Sequence, residues 1–72
     1  MKPEPADDFR DVVGPKIIYF LSGTWQPATL LEIARYVERD MTVTKTYVDL
    51  LVQAGKIRET LTPAGVGYIL LD

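Results

Sequence analysis

Val43 to Ile57 reads VTKTYVDLLVQAGKI. Thr44, Tyr47, Val48 and Leu51 recur in it at helical spacing. Ala54 and then Gly55 close the run, because glycine takes without strain the left-handed conformation that ends many helices. From Lys56 to Leu61 the residue types change to a β-prone string, so a strand is expected directly after the glycine. Thr42, Lys45, Thr46, Asp49 and Gln53 share the opposite face of the helix. The segment thus reads as helix, stop, strand, and the purpose of its polar face has to come from its surroundings.

Working backwards, Asp40 can cap this helix over 41–54, with Thr42 as a competing start. Before it, Thr29-Leu30-Leu31-Glu32 has the form of a capping box, in which the threonine oxygen accepts the N–H three residues on and the glutamate reaches back. Leu30, Ile33, Ala34 and Val37 follow at i, i+3, i+4 and i+7, which predicts a helix over 30–38 with Glu32, Arg35, Glu38 and Arg39 outside. Further upstream, Ile17, Phe20 and Leu21 form a stripe, with Ile18 at its side, that ends at Gly23. Gly14-Pro15 suits a helix start, whereas a start near Asp8 would make Pro15 a kink. Thr24 to Pro27 is β-prone and closed by proline, which suits one extended rung at a sheet edge. Downstream, Thr62 to Gly67 reads as a turn and Tyr68 to Leu71 as a returning strand. The order is helix, short strand, helix, helix, hairpin: an α+β domain, mostly α, with a three-helix core and a C-terminal hairpin.

Seventy-two residues form one small domain, which buries only about 60% of the surface its unfolded chain exposes. Residues 1 to 11 are expected to be a mobile acidic tail, since Pro, Asp and Glu leave too little apolar content to offset ordering entropy. Residues 12 to 72 make the domain. Phe9 is the tail residue with a potential structural role. The formal charge of −2 resides in that tail, where Glu4, Asp7, Asp8 and Asp11 outnumber Lys2 and Arg10. From Val12 onward six basic residues meet six acidic ones, and five of the basic ones, Arg35, Arg39, Lys45, Lys56 and Arg58, lie between 35 and 58. A neutral body with clustered cations can still present a local positive field.

The absence of cysteine and histidine excludes disulfides, thiolate metal sites and the commonest general base. Ser22 is the only serine, the carboxylates are scattered over separate helix faces, and no glycine-rich loop precedes a helix. Catalysis, cofactor and metal are therefore not expected. Apolar runs such as Ile17 to Leu21 fall far short of a membrane span, and a cytoplasmic protein is expected.

Two helices joined by a tight connection, the second ending in Leu51-Val52-Gln53-Ala54-Gly55-Lys56-Ile57 and feeding a hairpin, resemble the winged-helix variant of the helix-turn-helix over roughly residues 15 to 71. With Glu32-Ile33-Ala34, that segment is similar to small bacterial, archaeal and phage transcription regulators of the broad MarR, ArsR and fimbrial-regulator type. Gly65-Val66-Gly67-Tyr68 is similar to the wing-closing string of response-regulator output domains. The resemblance implies a sequence-specific binder of double-stranded DNA, with helix 41–54 in the major groove and a homodimer on two half-sites. It places Thr42, Lys45, Thr46 and Asp49 at the groove, Arg35 and Arg39 where the first helix of the motif crosses the backbone, and Lys56 and Arg58 at the root of the wing. The wing tip Thr62 to Gly67 carries no lysine or arginine. The alternative is the same fold with a neutral surface that docks another protein, for which Trp25 is a potential anchor.

Overall fold

The computed structural model describes residues 5–71. Its elements are α1 (Pro5–Asp8), a π-helical segment (Phe9–Val13), α2 (Gly14–Ser22), β1 (Ala28–Thr29), α3 (Leu30–Val37), α4 (Met41–Gln53), β2 (Ile57–Thr62) and β3 (Gly65–Leu70). The three strands form one antiparallel sheet in the order β1-β3-β2. This is a mostly helical α+β domain with a winged-helix-like layout, as the residue pattern predicts.

The local signals explain most of the boundaries. At α3 the Glu32 N–H donates to Thr29 Oγ1 (3.3 Å), and the Thr29 N–H donates to Glu32 Oε1 (3.1 Å), completing the capping box. Glu38 ends that helix in the left-handed region, with φ 57°. Asp40 caps α4 by accepting the Val43 N–H at 2.9 Å. After α4, Gly55 takes φ +73° and the chain turns into β2.

Three boundaries depart from the sequence reading. The first concerns the acidic tail: from Pro5 onward the chain is helical and runs into α2, which fits the alternative of a start near Asp8 with Pro15 inside the helix and not a start at Gly14-Pro15. Residues 1–4 of that segment lie outside the described residues. Pro15 sits inside the long helix. It lacks an N–H and its ring crowds the carbonyl four residues back, and the chain accommodates it with a wider turn in which the Gly14 N–H donates to Phe9 O. A side chain at Gly14 would place Cβ 2.7 Å from that same oxygen.

The second departure is β1, which lies at Ala28–Thr29 and not at Thr24 to Pro27. Thr24 is used by the end of α2, where its N–H (3.3 Å) and hydroxyl (3.1 Å) both donate to Leu21 O. Ala28 and Thr29 pair with Tyr68 and Gly67. Third, the hairpin turn is shorter than Thr62 to Gly67. Thr62 pairs with Gly65 across a two-residue loop, Pro63-Ala64. The Thr62 hydroxyl donates to Gly65 O (2.7 Å) and accepts the Ala64 N–H (3.1 Å).

The core is one cluster. Val13, Ile17 and Leu21 line one side of the first helix, Ile33 and Val37 come from α3, and Tyr47, Val48 and Leu51 from α4. Ala28, Ile57 and Tyr68 close it from the sheet. Because α4 buries Thr44, Tyr47, Val48 and Leu51, its opposite face must point outward. Among the described residues no helix is long and apolar enough to cross a membrane.

Candidate nucleic-acid interface

The outward face of α4 carries Thr42, Lys45 and Thr46, all exposed, with Asp49 half-buried. The helix holds the strip in place by burying its other side, and β2 and β3 follow directly from its C-terminal end. Two local interactions use part of the strip's bonding capacity. The Thr46 hydroxyl donates to Thr42 O, four residues back, at 3.1 Å, leaving its oxygen free to accept. The Lys45 ammonium is hydrogen-bonded to Asp49 Oδ1.

That bond to Asp49 is the leading reason that the Lys45 pKa is raised. Desolvation opposes it, and the fields of Tyr68, Asp49 and Glu59 reinforce it. Lys45 is therefore charged at any physiological pH, in a neighbourhood that holds two carboxylates. The ion pair is nearly half exposed on both sides, so its two members separate at little cost when a stronger anion arrives.

The five other cations expected here and in the tail region divide among separate places. Arg35 on α3 and Arg58 on β2 are exposed, with no ion-pair partner among the described residues. Arg58 lies next to buried Ile57 along β2 and so faces away from the core side of the sheet. Lys56, past the end of α4, lines a groove against α2 and not the strip. Arg39 is engaged elsewhere. Its guanidinium donates from Nη2 to Asp8 Oδ1 (2.8 Å) and from Nε to Asp8 Oδ2 (3.2 Å), and from Nη1 to the carbonyls of Val37 and Glu38. Arg10 bridges Asp7 and Asp11, both at 2.9 Å.

No protein-family model, curated protein or solved structure matches this chain.

Asp8 is the residue of this region that composition conceals. Besides Arg39 it accepts the Tyr47 hydroxyl at 3.1 Å, while the neighbouring Phe9 ring lies against Tyr47 with centroids 5.3 Å apart. The Arg39 hydrogen bond, chiefly, holds the Asp8 carboxyl below the ordinary aspartate range despite the opposing effect of burial. Burial, aided by Asp8, pushes the Tyr47 hydroxyl up. The only available signal in the sequence was Phe9, a lone aromatic in a charged stretch.

Several large apolar side chains stand in solvent. Trp25 is 92% exposed, Leu61 84% and Tyr19 73%. Leu61 pairs directly with Val66 near the hairpin tip, giving that tip an apolar character.

Proposed function

We propose that this chain is a small sequence-specific double-stranded DNA-binding protein, a cytoplasmic transcription regulator of winged-helix type that lays α4 in the major groove. The observation that carries this reading is the open strip Thr42, Lys45, Thr46 on a helix whose opposite face is locked into the core. Threonine hydroxyl oxygens accept from base donors, their methyls meet thymine methyls, and Lys45, released from Asp49, reaches a guanine edge or a phosphate. Arg35 and Arg58 supply the remaining phosphate contacts. Arg39 and Lys56 are set aside, the first because Asp8 holds it and the second because it faces the α2 side. One copy covers a half-site, so an operator of ordinary length takes two.

Three phosphate contacts per copy give a weak, salt-sensitive binder. With each contact contributing about 0.9 to the slope of log affinity against log salt, a fourfold rise in salt weakens one copy about 40-fold. Titrating random duplex DNA by fluorescence polarisation at low and then moderate salt tests this. Steep loss of binding with salt is expected, together with weaker binding at low salt by the double variant Lys45→Ala, Thr46→Ala. Absence of binding at the lowest salt refutes the reading. It would favour a protein-docking module instead, which the exposure of Trp25 and Leu61 supports.

A further inference from the structure

Three donors converge on one carboxylate where the first helix meets the connection between α3 and α4. The Arg39 guanidinium turns its Nε and Nη2 edge to the two oxygens of Asp8, at 3.2 and 2.8 Å, and the Tyr47 hydroxyl donates to Oδ2 at 3.1 Å. The remaining nitrogen, Nη1, donates to the carbonyls of Val37 and Glu38 at 3.2 and 3.3 Å. Those carbonyls belong to the end of α3, so they pin the guanidinium from behind and orient its fork without help from Asp8. A planar fork of this kind fits a phosphate as well as a carboxylate. The donors are thus a built anion site, and its occupant is a side chain of the same chain. Asp8 reaches it from an element 31 residues away in sequence. Beside it, the Phe9 ring lies against Tyr47 and helps to hold the helical arm of residues 5–13 in place.

The site adjoins the open strip on α4. Arg39 precedes Thr42, the first strip residue, by three positions, a backbone path of no more than about 11 Å. A duplex whose backbone passes Thr42 therefore brings phosphates close to the Arg39 fork. The arm that fills the fork carries Asp7, Asp8 and Asp11 against Arg10, so it has the same sign of charge as a nucleic-acid backbone. Resting on the DNA reading, we infer that Arg39 and Tyr47 form a further phosphate site of that interface, and that the N-terminal arm, through Asp8, is its built-in competitor. Pro15 deprives the widened turn of a donor, so the arm can part from the body there while Ile17 and Leu21 stay in the core. With Asp8 seated, the guanidinium is already neutralised when a polyanion approaches. With the arm undocked, each copy gains one phosphate contact.

The test is fluorescence polarisation of random duplex DNA with the whole chain and its variants, at about 50 mM salt and upward. Asp8→Ala is expected to bind about tenfold tighter than the parent at the lowest salt and to steepen the salt slope by about 0.9, the signature of one added phosphate contact. Arg39→Ala changes affinity little in the parent, where the guanidinium is already engaged, and removes the whole gain in the Asp8→Ala background. Phe9→Ala loosens the arm without altering charge. It gives a smaller gain that Arg39→Ala also removes, and it carries the test should Asp8→Ala fail to fold by circular dichroism. An Arg39→Ala loss of equal size in both backgrounds marks a general field effect and overturns the inference, as does parental affinity in a folded Asp8→Ala chain. In either case a parent that binds DNA leaves the DNA reading standing. If neither parent nor variants bind at the lowest salt, that reading falls and this site with it.

Discussion

Thr44 illustrates how a single side chain reads differently in sequence and in space. Its position in the helical stripe marks it as inward, and it is indeed fully buried, yet its hydroxyl has no hydrogen-bond partner among the described residues. An unpaired buried hydroxyl carries a desolvation cost with nothing to offset it. Thr44→Val, which replaces that hydroxyl with a methyl of similar size, is expected to raise stability by about 0.5–1 kcal/mol in urea unfolding; a loss of stability would show that the hydroxyl finds a partner. Asp8 is the opposite case, a polar group that composition assigns to solvent and the fold employs. Its carboxyl pKa is held below the ordinary value of about 3.9. The folded state therefore favours the ionised form, and the resulting stabilisation is present above the unfolded pKa and is lost as pH falls through the lower folded one. Asp8→Asn is expected to lower the melting temperature at neutral pH and to flatten its decline in acid. Parallel acid melting curves for the two proteins would show that the Arg39 contact contributes nothing.

At the scale of elements, the parts legible in the sequence are those fixed by neighbours within four residues. The capping box of Thr29 and Glu32, the Asp40 cap and the Gly55 stop all depend on such short-range bonds, and each lies where its residue types place it. Thr29→Ala is expected to cost about 1 kcal/mol by removing the acceptor for the Glu32 N–H, read as a shift in the urea midpoint. The helical N-terminal segment was legible only as an alternative, a start near Asp8 with Pro15 inside, because what fixes it is contact between Asp8 and Arg39 and Tyr47, 31 and 39 residues away. The hairpin was legible in outline but not in its turn, since two glycines invite a wide loop and only the pairing register shows their separate jobs. Gly65 takes φ +117° at the turn, while Gly67 lies where a Cβ would meet Pro27 Cβ at 2.8 Å and Thr62 Cγ2 at 3.0 Å. Gly67→Ala therefore pushes β1 off β3 and is expected to cost about 1–3 kcal/mol by the same measurement. An unchanged midpoint would mean that the loop before β1 yields freely.

For the whole molecule, the question is whether a chain of net charge −2 and isoelectric point near 4.9 can hold a polyanion. Helical spacing identified the open strip on α4, but pairing between distant charges decides how much positive field surrounds it. The fold withdraws Arg39 to Asp8, turns Lys56 to the α2 side, and leaves Lys45 in the field of Asp49 and Glu59. The remaining positive field at the strip is thus limited both by the withdrawal of two cations and by two nearby carboxylates. Neutralising one of them should reveal the strip's intrinsic affinity. Asp49→Asn removes the negative charge that holds the Lys45 ammonium, leaving only a neutral acceptor, without touching the buried face of α4, so the fold is expected to persist. If Lys45 meets phosphate, duplex DNA binding at low salt strengthens severalfold. If the parent leaves Lys45 bound to Asp49 even on DNA, the salt slope also steepens by about 0.9, the contribution of one released counterion. A variant that gains no affinity at low salt while keeping its melting temperature would mean that phosphates never approach this helix, and the polar face of α4 would then belong to a protein partner.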